Sequence, residues 1–278
     1  MKWTIHPAKL LLTLVALPAL LTPAFALGYI IYQGSAVMSW QFISTSAELG
    51  GFGASSGIFA QLAGSLLLAV GACMVATPIA LGSALFYQLS NNSRLRRYLE
   101  LLIYLLQAVP PIVYGLFGLI LFVQIFSLGV SLIAGMLVLA MVLLPMLTLN
   151  SIANLQRIAV EQTDAARALG LTESALILRV WLWQSRRELV TGQLLAIARA
   201  LSETAPILFT ATVFSGVIWP DSLLSPVTTL QTHIFYLAQE GNHPQSIDVA
   251  WGSALVLVTT IVLFSLLARA LKPSRENP

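Results

Sequence analysis

The amino-acid sequence predicts an all-α, polytopic membrane protein with six transmembrane helices. The chain is 58% hydrophobic and only 9% charged over 278 residues, with a mean hydropathy of +0.86, far from the average soluble domain. Six apolar stretches are long enough to cross a bilayer, since a span takes roughly 20 residues at about 1.5 Å of rise each. The basic residues collect in alternate connections, the pattern that cytoplasmic loops show. One membrane domain over residues 1–278 accounts for nearly the whole chain, and no water-soluble core is needed.

Each element follows in order. Residues 10–32 form the first span, preceded by Lys2 and Lys9. Ala24, Phe25 and Ala26 resemble a signal-peptide cleavage site. The apolar stretch nevertheless runs on through Tyr29 and Tyr32, which suit the membrane interface, so the segment reads as a retained span. Pro18 and Pro23 would kink it, which membrane bundles tolerate. Residues 33–60 carry no Lys or Arg. Span two, 61–86, leads to Arg94, Arg96 and Arg97. Span three, 99–126, turns tightly near Ser127 into span four, 128–149. The connection 150–188 holds Arg157, Arg167, Arg179, Arg186 and Arg187. Span five, 189–214, is followed by 216–248, again without Lys or Arg. Span six, 249–270, ends at Arg269, with Lys272 and Arg275 beyond. Both termini are therefore expected in the cytoplasm. The formal charge of +3 reflects this topology, and a nucleic-acid partner does not explain it.

Several chemistries are thinly represented. Cys73 stands alone in a span, so there is no disulfide framework or thiolate cluster. His6, His233 and His243 are scattered and no H-E-x-x-H occurs, so no metal site is expected. No G-x-x-x-x-G-K-[ST] occurs either; any ATP that drives this protein binds to another subunit.

One span is not purely apolar. Arg199 and Glu203 lie four residues apart in the fifth stretch, a spacing that places them on one face of a helix. An ion pair that locks two helices together satisfies this spacing. So does a pair lining a polar path, and ionisable groups within a membrane point to transport sites by default.

The connection 150–188 is the longest cytoplasmic segment. Asp164, Ala165, Ala166, Arg167, Ala168 and Leu169 favour a short helix, with Ala dominant and an acid near its start. Gly170 suits the position just past its end, and Thr172 can cap a second helix over 173–183. This is a compact knob on which an ATP-binding subunit could dock. Periodicity alone does not separate it from an ordinary solvated loop.

The stretch DAARALG, 164–170, resembles the EAA-x-x-x-G signature of ABC-importer permeases, with Asp164 at the Glu position and Gly170 at the glycine. The continuation ILRVWLW, 177–183, is similar to the apolar part of that signature. Trp183 and Arg187 stand where the family often has Pro. ARALSETAPILFTA, 198–211, resembles the phosphate-permease pattern ARAxGETAPLLFTA, with Ser202 in place of Gly. PPIVYGLFGL at 110–119, SPVTTLQTHIF at 225–235 and the ending LLAR at 266–269 match as well, so the resemblance covers about 61–269. It favours the PstA type of phosphate ABC-importer permease over the PstC type.

That resemblance implies a type I importer fold in a bacterial inner membrane. It also implies a subunit that moves inorganic phosphate inward. The partners it implies are a second, PstC-type permease, two ATPase subunits that hold ATP and Mg, and an external phosphate-binding protein, with lipid around the spans. The chain would carry no cofactor and no catalytic residue of its own. Asp164, Ala165, Ala166 and Gly170 would couple it to the ATPases. Arg199 would attract the anion, Glu203 would hold or release Arg199, and Thr204 and Thr210 would offer hydroxyls. Pro206 would kink the gate helix by removing a backbone donor. A permease for another oxyanion is the chief alternative, followed by a stand-alone secondary anion transporter. No paired-carboxylate, metal or nucleophile constellation points to a membrane enzyme.

Overall fold

A computed structural model describes residues 7–46, 57–213, 219–239 and 244–271. Lys2, His6, His243, Lys272 and Arg275, named above, lie outside the described residues, as do 214, the end of the expected fifth span, and 216, where the connection after it begins. Twelve α-helices occur among those residues: α1 Pro7–Ser35, α2 Trp40–Ser44, α3 Phe59–Leu89, α4 Ser93–Ala108, α5 Pro111–Gly118, α6 Leu132–Leu155, α7 Val160–Ala168, α8 Glu173–Leu176, α9 Leu182–Ala200, α10 Ala205–Thr210, α11 Leu230–Gln239 and α12 Pro244–Leu271. Two π-helical turns, Leu119–Ile125 and Ile177–Trp181, continue α5 and α8.

The centre is built on small residues. Ala69, Ala72, Ala76 and Ala80 of α3 are buried, and α3 lies against α6, which contributes Leu132, Met136, Leu139, Leu143 and Leu147 to the same core. Small side chains let backbones approach closely where lipid tails are as apolar as leucine. Ala196, Ala200, Leu201, Ile207 and Ala211 bring α9 and α10 into this core. The first turn of α6 is anchored by the chain around it. Ser131 N–H donates to Thr210 O, Leu132 N–H to Ser225 O and Ile133 N–H to Leu223 O, each at 2.9 Å. Donors that a helix N-terminus leaves orphaned are thereby satisfied.

At the periphery α1 packs on α12, with Tyr29 edge-on to Trp251 at 5.2 Å between ring centres. Most of its apolar side chains face outward, Leu20 being 73% exposed and Phe25 76%. Such a helix is stable only in a hydrocarbon solvent. Pro18 and Pro23 both lie inside one continuous helix.

Among the described residues, four helices are long and apolar enough to cross a membrane: Leu14–Ser35, Phe59–Leu89, Leu132–Leu155 and Pro244–Leu271. The pair Ser93–Ala108 and Pro111–Ile125 makes a fifth if taken as one span, but it bends by 91°. The span expected over 99–126 therefore contains a corner that its apolar run did not show. Pro110 and Pro111 explain the corner, because a proline disfavours helical backbone at the residue before it. Tyr114 OH bridges the corner to Leu106 O at 2.7 Å.

The expected span 189–214, with its kink at Pro206, is a broken helix in the structure. Its helix starts earlier, at Leu182, ends at Ala200, and resumes at Ala205 for two turns. Pro206 supplies the reason: it cannot donate to Ser202 O, the carbonyl one turn before it. The six expected crossings thus correspond, among the described residues, to four continuous helices, one right-angled pair and one broken helix.

Candidate functional site

Arg199 occupies the last turn of α9, where the exposed carbonyl ends of a helix favour a cation. Glu203 lies past the helix end, in the break, and not on the same helix as the spacing had led us to expect. The two still meet, Arg199 Nη2 to Glu203 Oε1 at 2.8 Å, because Ser202 N–H to Arg199 O and Glu203 N–H to Ala200 O wind the chain through one more turn. The arginine side chain is 47% exposed and the glutamate 13%. Arg199 therefore keeps donors free on one side while the carboxylate pins the other.

Arg199 borders a cavity of about 210 Å³ lined also by Gln107, Pro111, Tyr114 and Pro145. The bent pair supplies three of these residues, so the corner and the broken helix together shape this space. Gly115 of α5 allows the two to approach, since a Cβ there would lie 2.9 Å from Pro206 Cα.

Thr204 is placed elsewhere. With Ala205, Leu208 and Gln231 it lines a wider, mostly apolar groove of about 690 Å³. Pro206 is buried in the first turn of α10. Thr210 is fully buried and its hydroxyl donates to Pro206 O at 2.9 Å, so it offers no donor to either space. The structure thus joins Arg199 to Glu203, sets Thr204 on a second surface and puts Thr210 in the packing.

Two amides escaped the sequence reading. Gln107 shares the Arg199 cavity, and Gln231 donates from Nε2 to Leu201 O at 2.8 Å inside the break. For Gln107 the signal was a glutamine in an otherwise apolar segment; Gln231 lies in the stretch SPVTTLQTHIF that carried the resemblance, but nothing there marked it out.

The knob forms as a helix, a turn and a second helix. Leu171 N–H donates to Ala166 O at 3.2 Å and Gly170 N–H to Arg167 O at 2.9 Å, a Schellman closure with Gly170 at φ +78°. Thr172 Oγ1 accepts from Ala175 N–H at 3.3 Å, capping α8 as expected. Asp164 and Ala165 are exposed, whereas Ala166 is buried among Leu176, Trp181 and Ile103. Trp181 Nε1–H donates to Thr163 Oγ1 at 3.2 Å, tying α7 to the π turn that leads into α9. Trp183, at one of the unusual positions, stacks under Arg186 at 3.8 Å and is largely exposed.

Comparison with known proteins places this architecture. Residues 76–276 match the family described as binding-protein-dependent transport system inner membrane component. A probable ABC transporter permease protein, YqgI, of Bacillus subtilis is 28% identical over 253 residues, 87% of this chain and 85% of that one. The phosphate transport system permease protein PstA of Yersinia pestis is 30% identical, covering 81% of this chain and 75% of its own length. PstA of Xylella fastidiosa is 29% identical, over 77% and 74%. Among solved structures, an inward-facing MetNI methionine ABC transporter chain superposes with a TM-score of 0.61 at 14% identity, covering 77% of this chain and 95% of that one. The resemblance to ABC-importer permeases, and to the PstA type among them, is borne out. With a family match across most of its length and an importer-permease fold, the chain is a multi-pass inner-membrane protein and belongs to the inner-membrane components of binding-protein-dependent transport systems.

Proposed function

We propose that this chain is the PstA-type permease subunit of an ATP-driven importer of inorganic phosphate. The observation that carries the reading is the Arg199–Glu203 pair at the break of a membrane helix beside a cavity, in a chain whose relatives include phosphate permeases. A half-exposed guanidinium offers several N–H donors in a planar fork suited to an oxyanion.

In this reading the chain acts as one membrane domain with both termini in the cytoplasm, beside a PstC-type permease. Two ATPase subunits beneath hold ATP and Mg, and this chain has no ATPase site or cofactor of its own. A phosphate-binding protein delivers substrate from outside. Closure of the ATPases moves the knob at Asp164, Ala165, Ala166 and Gly170. The Trp181–Thr163 bond carries that movement into α9, and the break at 201–204 lets the helix end swing while α10 stays packed on α5 and α6. Glu203 holds Arg199 in one state and releases it toward phosphate in the other, the bistable element such a switch requires. Thr204 is a secondary contact from the neighbouring groove.

Labelled-phosphate uptake in phosphate-starved cells, with and without this gene and with ATP depleted in parallel, tests the reading. ATP-dependent uptake that is lost on deletion and restored by re-expression is expected. Unchanged uptake of phosphate, with loss of uptake of another oxyanion, would overturn the substrate.

A further inference from the structure

A buried polar network ties the outer helix α11 to the break in the gate helix. Leu201 O is the carbonyl that would accept from Ala205 N–H if the helix ran on. Gln231 Nε2 donates to it instead, at 2.8 Å. A carbonyl can only accept, so the amide orientation is fixed and Gln231 Oε1 points the other way. There it lies 2.9 Å from Ser65 Oγ of α3. Ser65 Oγ also lies 2.8 Å from Gln61 O and accepts from Leu230 N–H at 2.8 Å. Gln231, Ser65 and Leu201 are 5%, 2% and 1% exposed, so water does not compete strongly for these bonds.

We propose that Gln231 is a positioning residue, a latch that fixes the 201–204 break, and with it the Arg199–Glu203 pair, according to where α11 sits on α3. The proposal rests on the importer reading above and extends it to a residue outside the charged pair. A second seat for the latch is present. Gln61 Oε1 is buried without a hydrogen-bond partner, and Gln61 lies one helical turn from Ser65 on the same face of α3. A shift of α11 that carries Gln231 Nε2 from Leu201 O to Gln61 Oε1 exchanges one acceptor for another, the kind of discrete step that packed helices allow. Gln231 also borders the groove that holds Thr204, so a change in the latch alters access to that residue.

The test uses the full chain in cells, with Gln231→Met as the main variant because Met keeps the volume and removes both hydrogen bonds. Two readouts are taken: labelled-phosphate uptake per molecule of membrane-inserted protein, and labelling of Thr204→Cys by a membrane-impermeant thiol reagent in a Cys73→Ala background. Loss of a buried hydrogen bond in the switching element should lower maximal uptake by about tenfold while half-saturation stays within about twofold. The Thr204→Cys labelling rate should change by about fivefold when Gln231→Met is added, and by less with Ser65→Ala, which leaves the Leu201 bond in place. Wild-type uptake and wild-type labelling in Gln231→Met would overturn the latch. So would a defect fully accounted for by less protein in the membrane. If the unaltered chain imports no phosphate, the phosphate reading fails by itself, and the thiol labelling still decides the latch.

Discussion

Arg199 and Glu203 divide one ion pair between two environments, the guanidinium about half open to a cavity and the carboxylate largely covered. Arg199→Gln leaves Glu203 without its cation and the cavity without its fork of donors. Uptake should fall by about tenfold or more, each tenfold corresponding to about 1.4 kcal/mol of lost stabilisation. Full activity in Arg199→Gln would reduce the pair to packing. Gly170 is open to solvent, with no atom within 4 Å of where a Cβ would stand, yet its φ is +78°. Strain alone is therefore at issue, about 1–2 kcal/mol for an ordinary residue in the left-handed region. Gly170→Val should weaken stimulation of the ATPases while the protein still inserts, and Gly170→Asn, which tolerates that region, should keep most of it.

The informative elements are the two that are not straight. Both the corner between α4 and α5 and the break between α9 and α10 place proline where a helix would otherwise continue, and the two meet at Gly115 and Pro206. A side chain at 115 would press on Pro206 Cα, on the Phe209 ring and on Ala205 O. Gly115→Val should therefore abolish uptake or reduce folded protein by the roughly 1–3 kcal/mol that overpacking costs. Gly82→Ala is the control, because nothing lies within 4 Å of a Cβ there. Uptake and membrane level measured for both variants separate a packed seam from general intolerance of α3 or α5 to larger residues.

Across the whole molecule, lipid replaces water as the solvent of the outer surface and leaves packing to hold the inside. Leu20 on α1 is 73% exposed, and Leu139 in the α3–α6 core is 1% exposed. Leu20→Ala exchanges one apolar contact for lipid and should shift stability by less than about 0.5 kcal/mol. Leu139→Ala opens a cavity and should cost about 2–5 kcal/mol. Unfolding of the purified protein in mixed detergent micelles measures both, and equal effects would mean that α1 is covered by packing that this chain does not supply.

Composition, apolar runs and the placement of basic residues carried the all-α membrane class on their own, because burying backbone in hydrocarbon leaves a helix as the economical solution for such a run. The same holds for the Gly170 closure and the Thr172 cap, both local features whose donors and acceptors lie within six residues. The EAA-like and ETAP-like stretches carried the family for a related reason: each is a contiguous segment. Continuity of the spans was not legible in that way. Pro206 marked a kink, but a hydropathy window averages across Pro110 and Pro206 and gives neither the right-angled corner nor the extent of the break. Nor could sequence spacing reveal that Thr204 and Arg199 face different spaces, that Thr210 spends its hydroxyl on Pro206, or that Gln231 reaches Leu201 from 30 residues away. Those facts depend on how α3, α5, α6 and α11 pack around the break, and only the tertiary structure decided them.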